Sequence, residues 1–128
     1  MAIDLEMNVL IVDDYSTMLR IIKNLLNQIG FKNVVEAKNG QEAIERLKDT
    51  KIGLVISDWN MEPMSGLDLL KHVRATPETS KLPFIMVTAE SKTENVMIAK
   101  EAGVSNYIVK PFNAATLKQK IVAVLGEF

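Results

Sequence analysis

Leu54-Val55-Ile56-Ser57-Asp58-Trp59-Asn60-Met61-Glu62-Pro63-Met64-Ser65-Gly66 decides how the rest of the chain is read. Its first half is a short apolar run rich in β-branched residues, the pattern of a buried strand. Its second half breaks that pattern with Pro63 and Gly66, and Ser65-Gly66-Leu67-Asp68 has the form of a helix capping box. Asp58 therefore stands where a strand stops and a loop begins. A carboxylate at that point fills no core, so a chemical role has to be sought for it.

The same grammar repeats on both sides. Upstream, Val9-Leu10-Ile11-Val12 reads as a strand ending in Asp13-Asp14. From Ser16 the apolar residues Met18, Ile22, Leu25 and Ile29 recur at helical spacing until Gly30. Val34-Val35 is a weaker strand, and Asn39-Gly40 turns into a helix with Ala43, Ile44 and Leu47 inward. Downstream, a helix from Leu67 to about Ala75 buries Leu69, Leu70 and Val73 and ends ahead of Pro77, since the residue before proline disfavours helix. Phe84-Ile85-Met86-Val87 is a strand ending at Thr88. Ser91-Lys92-Thr93-Glu94 is a second capping box, and its helix runs to Gly103. Tyr107-Ile108-Val109 ends at Lys110-Pro111, and Asn113 caps a last helix with Leu117, Ile121 and Val124 on one face. Five continuous apolar strands alternating with five helices imply an α/β fold, a doubly wound parallel sheet covered on both faces.

Composition narrows the function. The 128 residues fit one domain, and 48% apolar content suffices for a core. Fifteen basic against sixteen acidic residues, a formal charge of -1, give no field that recruits nucleic acid or anionic lipid. Without cysteine there is no disulfide or thiolate chemistry, which fits a reducing compartment. No apolar run is long enough to span a bilayer, and the N-terminal Met-Ala-Ile-Asp-Leu-Glu is acidic where a signal peptide is basic. The expected location is the cytoplasm, with no nucleic-acid or membrane partner.

In a parallel sheet every strand's carboxyl end lies on one side, and ligands bind there. Those ends carry Asp13 and Asp14, Asp58, Thr88 and Lys110. Taken singly, each fits a turn, as an Asp after a strand commonly does; five converging by accident is improbable. Close carboxylates repel by roughly 4 kcal/mol per pair at about 4 Å and an effective dielectric near 20, so the site has to take up protons or a cation. Hard oxygen ligands with no His or Cys nearby favour Mg²⁺ over zinc. Lys110 and the Thr88 hydroxyl suit phosphoryl oxygens, and a carboxylate is a competent nucleophile for phosphorus. The residues suit phosphoryl transfer to Asp58.

With these residues in place, the whole chain resembles a response-regulator receiver domain of two-component signalling, above all the family's single-domain chemotaxis members. The likeness rests on Val-Asp-Asp-Tyr-Ser-Thr-Met (12–18), Ser-Asp-Trp-Asn-Met (57–61), Val-Thr-Ala-Glu (87–90) and Val-Lys-Pro-Phe (109–112). It implies strand order 2-1-3-4-5 and one receiver domain over residues 1–128 with no output domain. It also implies Asp58 as phosphoacceptor, with Mg²⁺ held by Asp14, Asp58 and the Asn60 carbonyl and by Asp13 through water. Lys110 is then expected to contact the phosphoryl group, Thr88 and Tyr107 to act as switch residues, and Asn60 and Glu90 to tune dephosphorylation. The implied output surface is the face made by helix four, strand five and helix five. The implied donor is a chemotaxis sensor histidine kinase, the implied target is the flagellar motor switch protein, and a dedicated phosphatase can attend a monomeric protein. Such a chain is no enzyme beyond catalysing its own phosphorylation and dephosphorylation. The rival within the family is a phosphorelay intermediate or phosphate sink that never touches a motor.

One departure stands out: the family usually places proline directly after the Met that Met61 matches, whereas here Glu62 intervenes and Pro63 follows. The loop should therefore differ locally, with one more carboxylate near the site. The resemblance implies a cis Lys110-Pro111 bond, while sequence alone gives trans as the default. Trp59 reads equally as a pocket gate and as a half-buried aromatic, and His72 as a solvated helix residue. Val96, Met97 and Ile98 cannot all face the sheet, so one should be exposed, on the implied output face. Lys92, Lys118 and Lys120 near it suit an acidic partner or plain solvation. Among other families, a haloacid-dehalogenase-type phosphatase needs an Asp where Asn60 stands. A flavodoxin-type FMN carrier needs hydroxyls where Asp13-Asp14 would repel phosphate. A histidine phosphotransfer module is all-helical.

Overall fold

Alternation along the strands sets the layers. The computed structural model describes residues 4–89 and 93–126, with backbone only for Thr93 and Glu94. In β1 (Asn8–Val12), Val9 and Ile11 face one side of the sheet, and Leu10 and Val12 the other. The same division separates Leu54 and Ile56 from Val55 in β3 (Leu54–Asp58), and Ile85 and Val87 from Phe84 and Met86 in β4 (Phe84–Thr88). With β2 (Asn33–Ala37) and β5 (Asn106–Val109) these form one parallel sheet in the order β2-β1-β3-β4-β5.

Two helices complete the first core layer. α1 (Ser16–Ile29) contributes Leu19, Ile22 and Leu26, and α5 (Ala114–Leu125) contributes Leu117 and Ile121. The stripe expected on the first helix was offset: Leu19 and Leu26 are the buried members beside Ile22, while Met18, Leu25 and Ile29 flank them half-buried. The hydrophobic face is wide, and sequence spacing alone does not say where its centre lies.

The second layer sits under α2 (Gly40–Asp49) and α3 (Gly66–Ala75), with Ala43, Leu69, Leu70 and Val73 buried. Both helices start as their caps require: the Asn39 side chain accepts from the Glu42 amide, and Ser65 and Asp68 form the complete capping box. A short 3-10 turn at Pro77–Thr79, which the sequence did not suggest, follows α3. Arg74 secures this corner. Its guanidinium donates to the carbonyls of Leu82 at 2.6 Å, Gly103 at 2.9 Å and Ser80 at 3.3 Å, tying the end of α3 to the approaches of β4 and β5.

In α4 (Thr93–Glu101) Ala99 is the buried residue among those described, and Met97 and Ile98 are 57% and 42% exposed. Two of the three consecutive apolar residues are thus open to solvent, where one was expected. The capping box at 91–94 lies outside the residues whose side chains are described. His72 is exposed and Trp59 half-buried. Lys110-Pro111 is cis, as the resemblance implied, and so is Glu62-Pro63. No helix among the described residues is long and apolar enough to cross a membrane.

Candidate functional site at the carboxyl edge of the sheet

Strand parity places the charged side chains. Residues 9, 11 and 13 alternate onto the α1/α5 side, as do 54, 56 and 58, and 108 and 110. The register pairs Val12 with Ser57 and Asp58 with Val87, so Asp13 and Asp58 end adjacent strands side by side. Asp13 is 1% exposed and Asp58 5%. Lys110, one residue past β5, reaches back over the edge to Asp58 Oδ1 at 3.1 Å and Asp13 Oδ2 at 3.8 Å. Asp14 is exposed, yet one carboxylate oxygen from each of Asp13, Asp14 and Asp58 lies within 4.8 Å of the others.

Backbone contacts brace this edge. The Tyr15 amide donates to Asp13 Oδ1 at 2.9 Å, fixing that carboxylate at the entry to α1. The Trp59 amide donates to the Val87 carbonyl at 2.9 Å, and the Lys110 amide to the Thr88 carbonyl at 2.8 Å, so the ladder continues one residue past each strand. Gly66 packs directly on the Asp58 carbonyl, where a Cβ would collide, and its amide donates to the Trp59 carbonyl at 2.8 Å. Sequence reading found Gly66 only as part of a capping box. No local pattern announces a close approach to residues seven and eight positions back.

The electrostatics follow from burial. The Asp13 carboxyl is pushed up to about 6, chiefly by burial, with Asp58 and Asp14 adding to the rise and the Tyr15 amide and Lys110 opposing it. Asp58 is raised as well, again chiefly by burial, against the pull of Lys110. Repulsion between carboxylates, which sequence reasoning put first, is the smaller contribution. Asp13 Oδ2 and Asp58 Oδ1 are buried with no hydrogen-bond partner among the described residues. Paired only with one ammonium, they are short of positive charge, and a hard divalent cation would satisfy both. The donor set fits Mg²⁺: carboxylate oxygens with an open side, and neither His nor Cys in the group.

The open side is a cleft of about 300 Å³ lined by Asp14, Asn60, Met61 and Glu62. Asn60 and Asp14 thus face one space. Thr88 falls on the opposite parity with Met86, and with Trp59 and Tyr107 it lines a separate small hollow beside α4. The Tyr107 ring also carries the Lys120 ammonium 5.2 Å from its centroid. Asp13, Asp14, Asp58 and Lys110 therefore form one group, and Thr88 and Tyr107 share a second space across the sheet edge. Glu90 lies outside the described residues. A larger groove of about 380 Å³ between α2 and α3 is lined by Ile44, Leu47, His72 and Thr76 among others. With Glu78 its only carboxylate among the described residues, it gathers no comparable group of charges there.

Known proteins resemble this chain in sequence and in fold. The family described as response regulator receiver domain matches residues 9–122. Chemotaxis protein CheY-3 of Vibrio cholerae serotype O1 is 53% identical over 116 residues, covering 91% of this chain and 89% of that protein. Chemotaxis protein CheY of Pseudomonas aeruginosa is 50% identical over 115 residues, covering 90% and 93%. Among solved structures, Vibrio cholerae CheY4 superposes with a TM-score of 0.88 at 32% identity, covering 94% of this chain and 99% of that one. A response regulator receiver protein from Pseudomonas putida gives 0.83 at 31% identity, covering 93% and 98%. A match over nearly the whole chain, with relatives at half identity and the acidic edge in place, makes this protein a CheY-like member of the response regulator receiver domain family.

Proposed function

We propose that this chain is a phosphorylation-driven binding switch whose acceptor is Asp58. A carboxylate oxygen of Asp58 attacks the phosphorus of a phosphohistidine on a sensor kinase; the new O–P bond forms as the P–N bond breaks, and its electron pair leaves with the imidazole. Asp13, Asp14 and Asp58, with the Asn60 carbonyl, would hold Mg²⁺, which supplies charge neutralisation for the phosphoryl oxygens when bound. Lys110, already beside Asp58, stays within reach of those oxygens. One observation carries the reading: Asp13 Oδ2 and Asp58 Oδ1 are buried and without an aligned hydrogen bond, in a group whose only close cation is Lys110 among the described residues.

The output lies on the other side of the edge. Thr88 and Tyr107 line one hollow beside α4, so movement of Thr88 toward a phosphoryl group frees space that the Tyr107 ring can enter. Met97 and Ile98 on the same helix are exposed, which supports a partner contact there. Half identity to two chemotaxis proteins supports the flagellar motor switch as that partner, with the chain acting as a single cytoplasmic receiver domain. Asn60 and Glu90 are assigned to tuning the loss of the phosphoryl group to water, the chain's only other chemistry.

The test is the intact mass after incubation with acetyl phosphate and Mg²⁺. One added phosphoryl group is expected, absent from Asp58→Asn and absent with a chelator. Labelling of Asp58→Asn to the wild-type extent would remove the acceptor assignment. Binding to the motor switch protein with and without a beryllofluoride mimic then separates a motor switch from a phosphate sink.

A further inference from the structure

The loop 59–65 is fastened on both sides of its tip. Met61 is buried in the layer under α2 and α3. Met64 lies against Gly40 so closely that a Cβ there would come within 2.5 Å of the Met64 sulfur. Gly66 then closes over the Asp58 carbonyl. Between these anchors Glu62 and Pro63 are both exposed. The Glu62 side chain is thereby kept at the rim of the cleft it shares with Asp14 and Asn60, and among the described residues no Lys or Arg pairs with it.

We infer that Glu62 is a selectivity residue of this site, drawing divalent cations into the cleft while repelling small anionic phosphodonors. The inference rests on reading the acidic group as a Mg²⁺ and phosphoryl site. Three ionised carboxylates against the Lys110 ammonium leave two net negative charges, and Glu62 makes three. A fixed charge at the rim acts with opposite sign on a dication and on an anionic donor. A kinase domain brings its phosphohistidine with its own protein surface and can place compensating cations against Glu62. A free acyl phosphate cannot. The residue therefore biases the site toward protein donors over metabolite anions.

Trp59, the chain's only tryptophan, adjoins Asp58 and is the fluorescence probe for the titration. Mg²⁺ is titrated into wild type and Glu62→Gln at low salt and at 1 M salt, and initial labelling by acetyl phosphate is followed at saturating Mg²⁺. Because Glu62 is exposed, the variant keeps the fold. At low salt its Mg²⁺ affinity should fall by about 2- to 5-fold, and the difference should vanish at 1 M, where the Debye length is about 3 Å. Labelling should rise by a similar factor. Equal affinity at low salt, or a fall in both affinity and labelling, would overturn the inference, the latter marking a merely structural role. A wild type that binds no Mg²⁺ by fluorescence or calorimetry would overturn the metal reading, and the inference with it.

Discussion

Lys110 Nζ stands 3.1 Å from Asp58 Oδ1 and is 27% exposed, whereas the carboxylate is almost wholly buried. The pair is thus half inside the protein, and the same ammonium also reaches Asp13. Lys110 occupies the electrostatic position a cation would take, which makes it both a partner of Asp58 and a competitor of any metal.

Lys110→Met keeps the aliphatic stem and removes the charge. Mg²⁺ should then bind about 3- to 10-fold more tightly, because one repelling cation has left the pocket. Titration of Trp59 fluorescence measures it. Unchanged or weaker binding would mean that the ammonium does not compete for these carboxylates.

Asp13→Asn and Asp58→Asn replace buried charges by neutral groups of nearly the same shape. Each should raise metal-free stability at pH 7 by about 1–3 kcal/mol, since burial already pushes both carboxyls toward the neutral form. Each should also remove most of the stabilisation that Mg²⁺ gives wild type. Urea unfolding with and without Mg²⁺ reads both effects, and destabilisation by either substitution would contradict the electrostatic account.

The raised Asp13 carboxyl sets a pH dependence with a definite sign. Between 3.8 and about 6 the folded chain holds a proton on Asp13 that the unfolded chain has released. Stability from this group is therefore greatest on the acidic side and is lost as pH rises through about 6, by at most about 3 kcal/mol. Asp58 is shifted in the same direction and adds to the slope. Without Mg²⁺, the urea midpoint should fall from pH 5 to pH 7, less steeply in Asp13→Asn. A wild-type midpoint that stays level or rises would exclude the shift.

Gly66→Ala tests the floor of the site. A Cβ would strike the Asp58 carbonyl and come within 2.8 Å of the Met86 sulfur and 2.9 Å of Trp59 Cα. The backbone must yield, at a cost of about 2 kcal/mol or more, and Mg²⁺ binding should weaken as Asp58 shifts. A variant of wild-type stability would show that the loop has room to move.

Much of this protein was legible before folding. Apolar runs and helical spacing gave the element order, because burial on a two-sided sheet leaves so plain a mark on sequence. Asp13, Asp14, Asp58 and Lys110 could be collected from strand ends, because parallel topology puts those ends on one side. The centre of the α1 stripe, the exposure of both Met97 and Ile98, and the contact of Gly66 with Asp58 could not be read, since each depends on what another segment brings opposite. Only the tertiary structure decided that Lys110 joins Asp13 and Asp58 while Thr88 joins Tyr107. Strand parity divides them between two faces of the sheet, and burial, more than mutual repulsion, then sets the charge of the carboxylates. Sequence determines which groups arrive at the edge; packing determines which way they face and how much water they keep.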